Sequence, residues 1–128
     1  MPEAEKITIN MNVVDLGKVD LLVAEGFYAN RTDFIRTAIR NLLDRHEDEV
    51  KRTVGRKQAI VGVIHYNREE LEAFKEAGRM LDVTITGLFS LGSDVTPELA
   101  RAVISSLRVT GVFRASQAVK QALQDRSH

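Results

Sequence analysis

Cysteine is absent from this 128-residue chain. Its absence removes disulfide staples, thiolate zinc sites and cysteine nucleophiles together. Long apolar runs are missing as well. Nothing approaches the ~20 residues needed to span a bilayer, and the opening MPEAEKITIN has no apolar core of a signal peptide. These absences predict a soluble, cytoplasmic protein with no membrane partner. Enzyme signatures are lacking too: there is no GxSxG, no phosphate-cradling glycine loop and no HExxH. No catalytic residue is therefore assigned, and the chain is expected to be neither an enzyme nor a cofactor binder. His65 has no second histidine at i+2 or i+4 and no cysteine to complete a tetrahedral set. A hydrogen-bonded strand histidine is expected there, and no metal site. Net charge is zero, whereas nucleic-acid binders usually carry a basic excess. Residues 1–52 hold eight Lys/Arg against ten Asp/Glu, and residues 53–128 hold ten against eight. Any nucleic-acid role has to rest on where the charges stand.

What is present is a globular composition, 44% hydrophobic and 28% charged. Residues 5–12, EKITINMN, alternate strictly, with Ile7, Ile9 and Met11 on one face and Lys6, Thr8 and Asn10 on the other. Period two with β-branched residues predicts a half-buried strand. From Asp15 to Glu25 the apolar positions Leu16, Val19, Leu22 and Val23 recur at helical spacing, and Gly26 stands where a C′ glycine would end the helix. After Phe27-Tyr28-Ala29, Asn30 is an N-cap with Asp33 at N3. The next helix buries Phe34, Ile35, Ala38, Ile39, Leu42 and Leu43, leaving Arg36, Arg40 and Arg45 solvated or ion-paired. The charged run 44–57 reads as the frayed end of that helix and a linker.

Beyond the linker, Ile60–Tyr66 form an apolar strand. Asn67 with Glu70 gives a capping box for a helix running to about Leu81. Val83–Leu91 form a second strand, followed by a turn at Gly92-Ser93-Asp94. Thr96-Pro97 opens a helix to about Leu107, Val109–Phe113 form a third strand, and Ser116 caps a last helix. No internal repeat is evident. Phe89, Phe113 and Met80 read as core. Regular β-α alternation implies crossovers covering one sheet.

One strand and two short helices bury too little apolar surface to fold alone. Two copies solve this if their strands pair antiparallel, with Ile7, Ile9 and Met11 covering a shared helical core. Lys6, Thr8 and Asn10 of both chains then project from a two-stranded ribbon that fits the major groove. On these residues the chain resembles the ribbon–helix–helix family of the Arc, MetJ and CopG types. The matching segments are KITINMN, the helix ending AEG, and NRTDFIRTAIRNLL, which is similar to the family's S-R-S-x-x-I-R-x-A helix. The resemblance implies that Lys6, Thr8 and Asn10 read bases, and that Asn30, Arg31 and Thr32 set the start of the second helix against a DNA phosphate. That placement also has physical sense, since free N–H groups and the helix dipole favour an anion.

The C-terminal part, with GVIHYN and GLFSLGSD, resembles in layout the nickel-responsive repressors, though their metal ligands are missing and three strands stand where that domain has four. The expected fold class is α+β: a ribbon–helix–helix intertwined dimer (residues 1–50), a charged linker (51–58) and a small ACT-like, ferredoxin-like α/β domain (59–128) for oligomerisation or effector binding. The expected function is a sequence-specific transcriptional regulator, a repressor on a palindromic operator in double-stranded DNA. It would be a homodimer or, through the C-terminal domain, a homotetramer, with a small-molecule effector as a further partner. An antitoxin that autoregulates its operon and a purely structural oligomer are the alternatives.

Overall fold

The computed structural model describes residues 4–128. It divides into two compact units: Lys6–Arg52, and Thr53–His128 together with Ala4 and Glu5.

The first unit holds α1 (Val13–Ala24) and α2 (Arg31–Arg45). Helix α1 begins earlier than its apolar spacing suggests, because Asn12 is its N-cap. The Asn12 side chain accepts from the N–H groups of Val14 at 2.8 Å and Asp15 at 3.4 Å. The helix stops at Gly26, whose φ of +85° suits glycine. The N–H groups of Gly26 and Phe27 reach back to the Val23 and Leu22 carbonyls at 3.1 and 3.0 Å, closing the last turn as a left-handed cap does. In α2, Asn30 caps the Asp33 N–H at 2.8 Å, but the Asp33 carboxylate accepts from Ala29 N–H at 3.0 Å and not from the cap residue. The expected strand over residues 5–12 is not formed within one chain. A strand exists by its ladder, and nothing in this unit supplies one.

The charged run expected to be frayed and irregular is helical: α3 spans Glu47–Lys57, and the division between the two units falls within it, after Arg52. The charge run is ordered along the helix axis, with Glu47, Asp48 and Glu49 in the first turn and Arg56 and Lys57 in the last. That order complements the macrodipole, and Lys51 pairs with Glu47 at 3.3 Å, one turn apart.

The second unit contains β1 (Ile60–Tyr66), α4 (Arg68–Glu76), β2 (Leu81–Leu91), α5 (Pro97–Val103), β3 (Ile104–Arg114), α6 (Gln117–Ala122) and a 3-10 turn, Gln124–Arg126. The capping box at Asn67 and Glu70 and the caps at Thr96 and Ser116 are all present. Two helices end sooner than expected. Helix α4 gives way at Ala77 and Gly78 (φ +67°), and α5 stops at Val103, after which the chain is already strand. Both β2 and β3 are correspondingly longer. Met80, expected in the core, is exposed.

The three strands pair in parallel in the order β1-β2-β3. This corrects the ACT-like, ferredoxin-like expectation, which requires a β-α-β-β-α-β order with adjacent strands meeting without a helix between them. Here α5 separates β2 from β3, so the second connection is another crossover. Right-handed crossovers between neighbouring parallel strands place the helices on one face. Beneath them lies the core: Ile85, Phe89 and Leu91 of β2, Leu71 of α4, Leu99 and Val103 of α5, Ile104 and Leu107 of β3, and Val119 and Leu123. Phe89 meets Phe113 at 5.5 Å and Tyr66 at 6.3 Å between ring centroids. At the C-terminal end, Arg101 donates to Ala122 O at 2.5 Å and to Asp125 at 2.8 Å, and Arg126 donates to the carbonyls of Arg101 and Ile104. His128 N–H bonds Leu107 O at 2.9 Å. Arg114, at the end of β3, donates to Ala4 O at 2.6 Å and to the Glu5 carboxylate at 3.0 Å. Among the described residues, no helix is long and apolar enough to cross a membrane.

Candidate nucleic-acid interface

Val19 is the single buried residue between Lys6 and Arg52. Around it α1 and α2 are tied by an aromatic pair and an ion pair. Tyr28 and Phe34 meet edge to face at 4.9 Å, and the Arg31 guanidinium grips the Asp20 carboxylate through two bonds of 2.8 and 2.7 Å. The other apolar side chains largely face outward: Ile7 is 69% exposed, Ile9 53% and Phe27 70%, with Val13, Val14, Leu21, Ile39, Leu42 and Leu43 also exposed. A unit with so much exposed apolar surface and one buried valine has no core of its own. Its core has to be completed from outside.

Lys6, Thr8 and Asn10 are exposed, as are Asn30, Arg31 and Thr32. The first three alternate with Ile7, Ile9 and Met11, so covering the apolar series leaves the polar series on the opposite face. The second three stand at the start of α2, where the first helical N–H groups have no intrahelical acceptor. Asn30 Oδ1 is already used by the cap, which leaves its amide NH2 as a donor.

Sequence reasoning missed the Asp20–Arg31 pair, because its partners lie eleven residues apart on different helices and no local pattern announces them. Hydrogen bonds from Arg31 hold the Asp20 carboxyl below the usual aspartate range, opposed by desolvation and aided by the Arg31 charge. The Arg31 pKa is raised by the same hydrogen bonds. A depressed carboxyl pKa stabilises the fold above its unfolded value, and that contribution fades as pH falls through the folded one. Asp20→Asn should therefore unfold at lower denaturant than the parent at neutral pH, with the gap closing below about pH 4. Urea midpoints measured along a pH series check this; a gap that stays constant into acid would contradict it.

His65 Nδ1 lies 3.0 Å from Ser90 Oγ, the hydrogen-bonded strand position expected of it. Among the described residues no group of three or more His, Cys, Asp or Glu side chains could hold a metal ion.

No curated protein and no solved structure matches the chain. A family model does, over residues 2–120, and it spans both units. Together with the two-helix unit that lacks a core of its own, the match shows that this chain belongs to the ribbon-helix-helix transcriptional regulator family.

Proposed function

We propose that this chain is a repressor that binds a palindromic operator as a dimer, its two N-terminal segments forming one ribbon. One observation carries the reading: the Lys6–Arg52 unit buries only Val19 while Ile7 and Ile9 stand exposed beside Lys6, Thr8 and Asn10. Pairing the two segments antiparallel covers the isoleucines and gives the polar series a common outer face. Lys, Thr and Asn side chains in the major groove can donate to or accept from base edges. Arg31, with Asn30 and Thr32, would place the start of α2 on a phosphate. The zero net charge matters less in this arrangement, since Lys6 stands on the ribbon while Glu47, Asp48 and Glu49 belong to α3, beyond the end of α2. Arg31 is already paired with Asp20 and would have to share its guanidinium with a phosphate or exchange one partner for the other.

The second unit supports an oligomerising role, and through it a tetramer in which two ribbons engage two half-sites with raised effective concentration. A small-molecule effector acting there belongs to the same reading. The antitoxin alternative gains nothing from this unit, because a toxin-binding tail of that kind folds on its partner, whereas residues 60–126 carry capped helices over a thirteen-residue buried cluster.

Thr8→Ala and Asn10→Ala should each weaken operator binding by ~1–3 kcal/mol and relax the base preference at one position of each half-site. Titrations against operator and random duplexes separate the outcomes: equal losses on both would remove the reading role. Arg31→Ala should weaken both duplexes alike and lower the slope of log K against log salt by about one for each phosphate that Arg31 neutralises. An unchanged slope would take Arg31 off the phosphate.

A further inference from the structure

Within the second unit, helices pack on one face of the three-stranded sheet. Among the described residues of that unit no helix covers the other face, and Ala4 and Glu5 lie against its end beside Arg114. In register across that face lie two central rows, Val61–Thr86–Thr110 and Val63–Leu88–Val112. Val61 is 63% and Val63 52% exposed, and both line a shallow depression of about 360 Å³ with Leu88, Val112, Glu5 and Arg114. All-parallel sheets occur almost only with both faces covered, and their strands are apolar on both sides for that reason. A sheet of this type with an aliphatic open face lacks a second layer.

Charge decides what kind of layer fits. No ionisable side chain stands in either central row. Beyond them, the face carries Asp82 and Arg108 toward one end, and His65, Arg114 and Glu5 toward the other. Apart from His65, acids and bases balance two against two, and Arg114 is already matched by Glu5 at 3.0 Å. Such a face neither repels its own copy nor selects a strongly charged partner, and an apolar centre with a balanced rim is self-complementary across a two-fold axis. We propose that the open sheet face of the second unit packs on the same face of a second copy from another ribbon dimer. This surface rests on the tetramer reading above and would be the one that makes the tetramer.

The size of the face sets how the interface works. Strands ~4.8 Å apart and residues ~3.3 Å apart along them give the shared rows a footprint on the order of a few hundred Å². A standard interface buries ~800 Å² on each partner. One such patch is too small to hold two free copies together. A ribbon dimer presents the face twice, however, so the second pairing of a tetramer closes intramolecularly.

Sedimentation of the full chain across a concentration series tests the idea. The parent should sediment as a tetramer that dissociates to dimers on dilution. Leu88→Lys should be a dimer throughout. The double variant Val63→Thr, Val112→Thr keeps shape and β-propensity, and should raise the tetramer dissociation constant by about tenfold or more, because buried hydroxyls replace methyl groups. Its circular dichroism should match the parent, so it decides the matter if the lysine variant fails to fold. A parent tetramer that both folded variants leave intact would overturn this face while sparing the tetramer. A parent that stays dimeric at every concentration would overturn the tetramer reading and this face with it.

Discussion

Ile9→Asp is expected to give a chain that neither dimerises nor binds duplex DNA. In a single chain Ile9 is 53% exposed, and there an aspartate would be tolerated. The expectation comes from what the two-helix unit lacks. With Val19 alone buried between Lys6 and Arg52, the apolar side chains of the N-terminal segment have to supply the missing core, and they can do so only across a two-fold axis. At that position a carboxylate would be buried twice, once from each copy, with no cation opposite. An uncompensated buried charge costs several kcal/mol, and the cost is doubled by symmetry in a small unit whose total stability is of order 5–15 kcal/mol. Ile9→Val serves as the control, removing one methylene at roughly 0.5–1.5 kcal/mol and preserving the dimer. Sedimentation and gel-shift titration read both variants. A folded, monodisperse dimer of Ile9→Asp with parental DNA affinity would refute the shared core, and the assignment of Lys6, Thr8 and Asn10 to an outer face would go with it.

The parts of the fold legible in the sequence are those with a local chemical cause. Asn30, Asn67, Thr96-Pro97 and Ser116 announce helix starts because their side chains satisfy N–H groups two or three residues on, and each does so in the structure. Gly26 marks the end of α1 for an equally local reason. Helix α3 stays hidden when charge density is read without charge order. Acids followed by bases along Glu47–Lys57 suit a helix dipole, and only the mean polarity suggests a linker. The early ends of α4 and α5 are not legible because Leu81, Ile104 and Leu107 continue an apolar series that a helix or a strand can bury equally well. Sheet order decides between them, and sheet order is not local.

The candidate interface divides in the same way. The alternation of Lys6, Thr8 and Asn10 with Ile7, Ile9 and Met11 is written in the sequence, but in the proposed ribbon the surface that would give it meaning comes from another copy. The Asp20–Arg31 tie depends on the angle between α1 and α2, which no spacing rule contains. The open sheet face is equally out of reach, since strands with apolar residues on both sides do not say which side the helices will cover.

The second large effect concerns three glycines whose spacing along the chain gives no sign that they meet. Gly62, Gly87 and Gly111 stand side by side on β1, β2 and β3, with φ of +143°, +138° and +129°. At this backbone conformation an L side chain is strained wherever it sits. For two of the three there is also no room. A Cβ on Gly87 would lie 2.1 Å from the carbonyl oxygen of Gly62, and one on Gly111 2.1 Å from that of Gly87. The obstacle is backbone held in a sheet, so relief requires the strands themselves to move. Gly62 is on the edge strand and meets nothing within 4 Å. Gly62→Ala should therefore cost only conformational strain, roughly 1–3 kcal/mol. Gly87→Ala and Gly111→Ala add a collision and should cost about 3–5 kcal/mol, near the upper end for single substitutions. Urea unfolding followed by circular dichroism ranks the three variants. The order expected is parent, then Gly62→Ala, then the other two well below it. A Gly87→Ala variant as stable as Gly62→Ala would mean that the carbonyl row does not crowd the next strand, and that β1, β2 and β3 do not meet in the register that brings these glycines together.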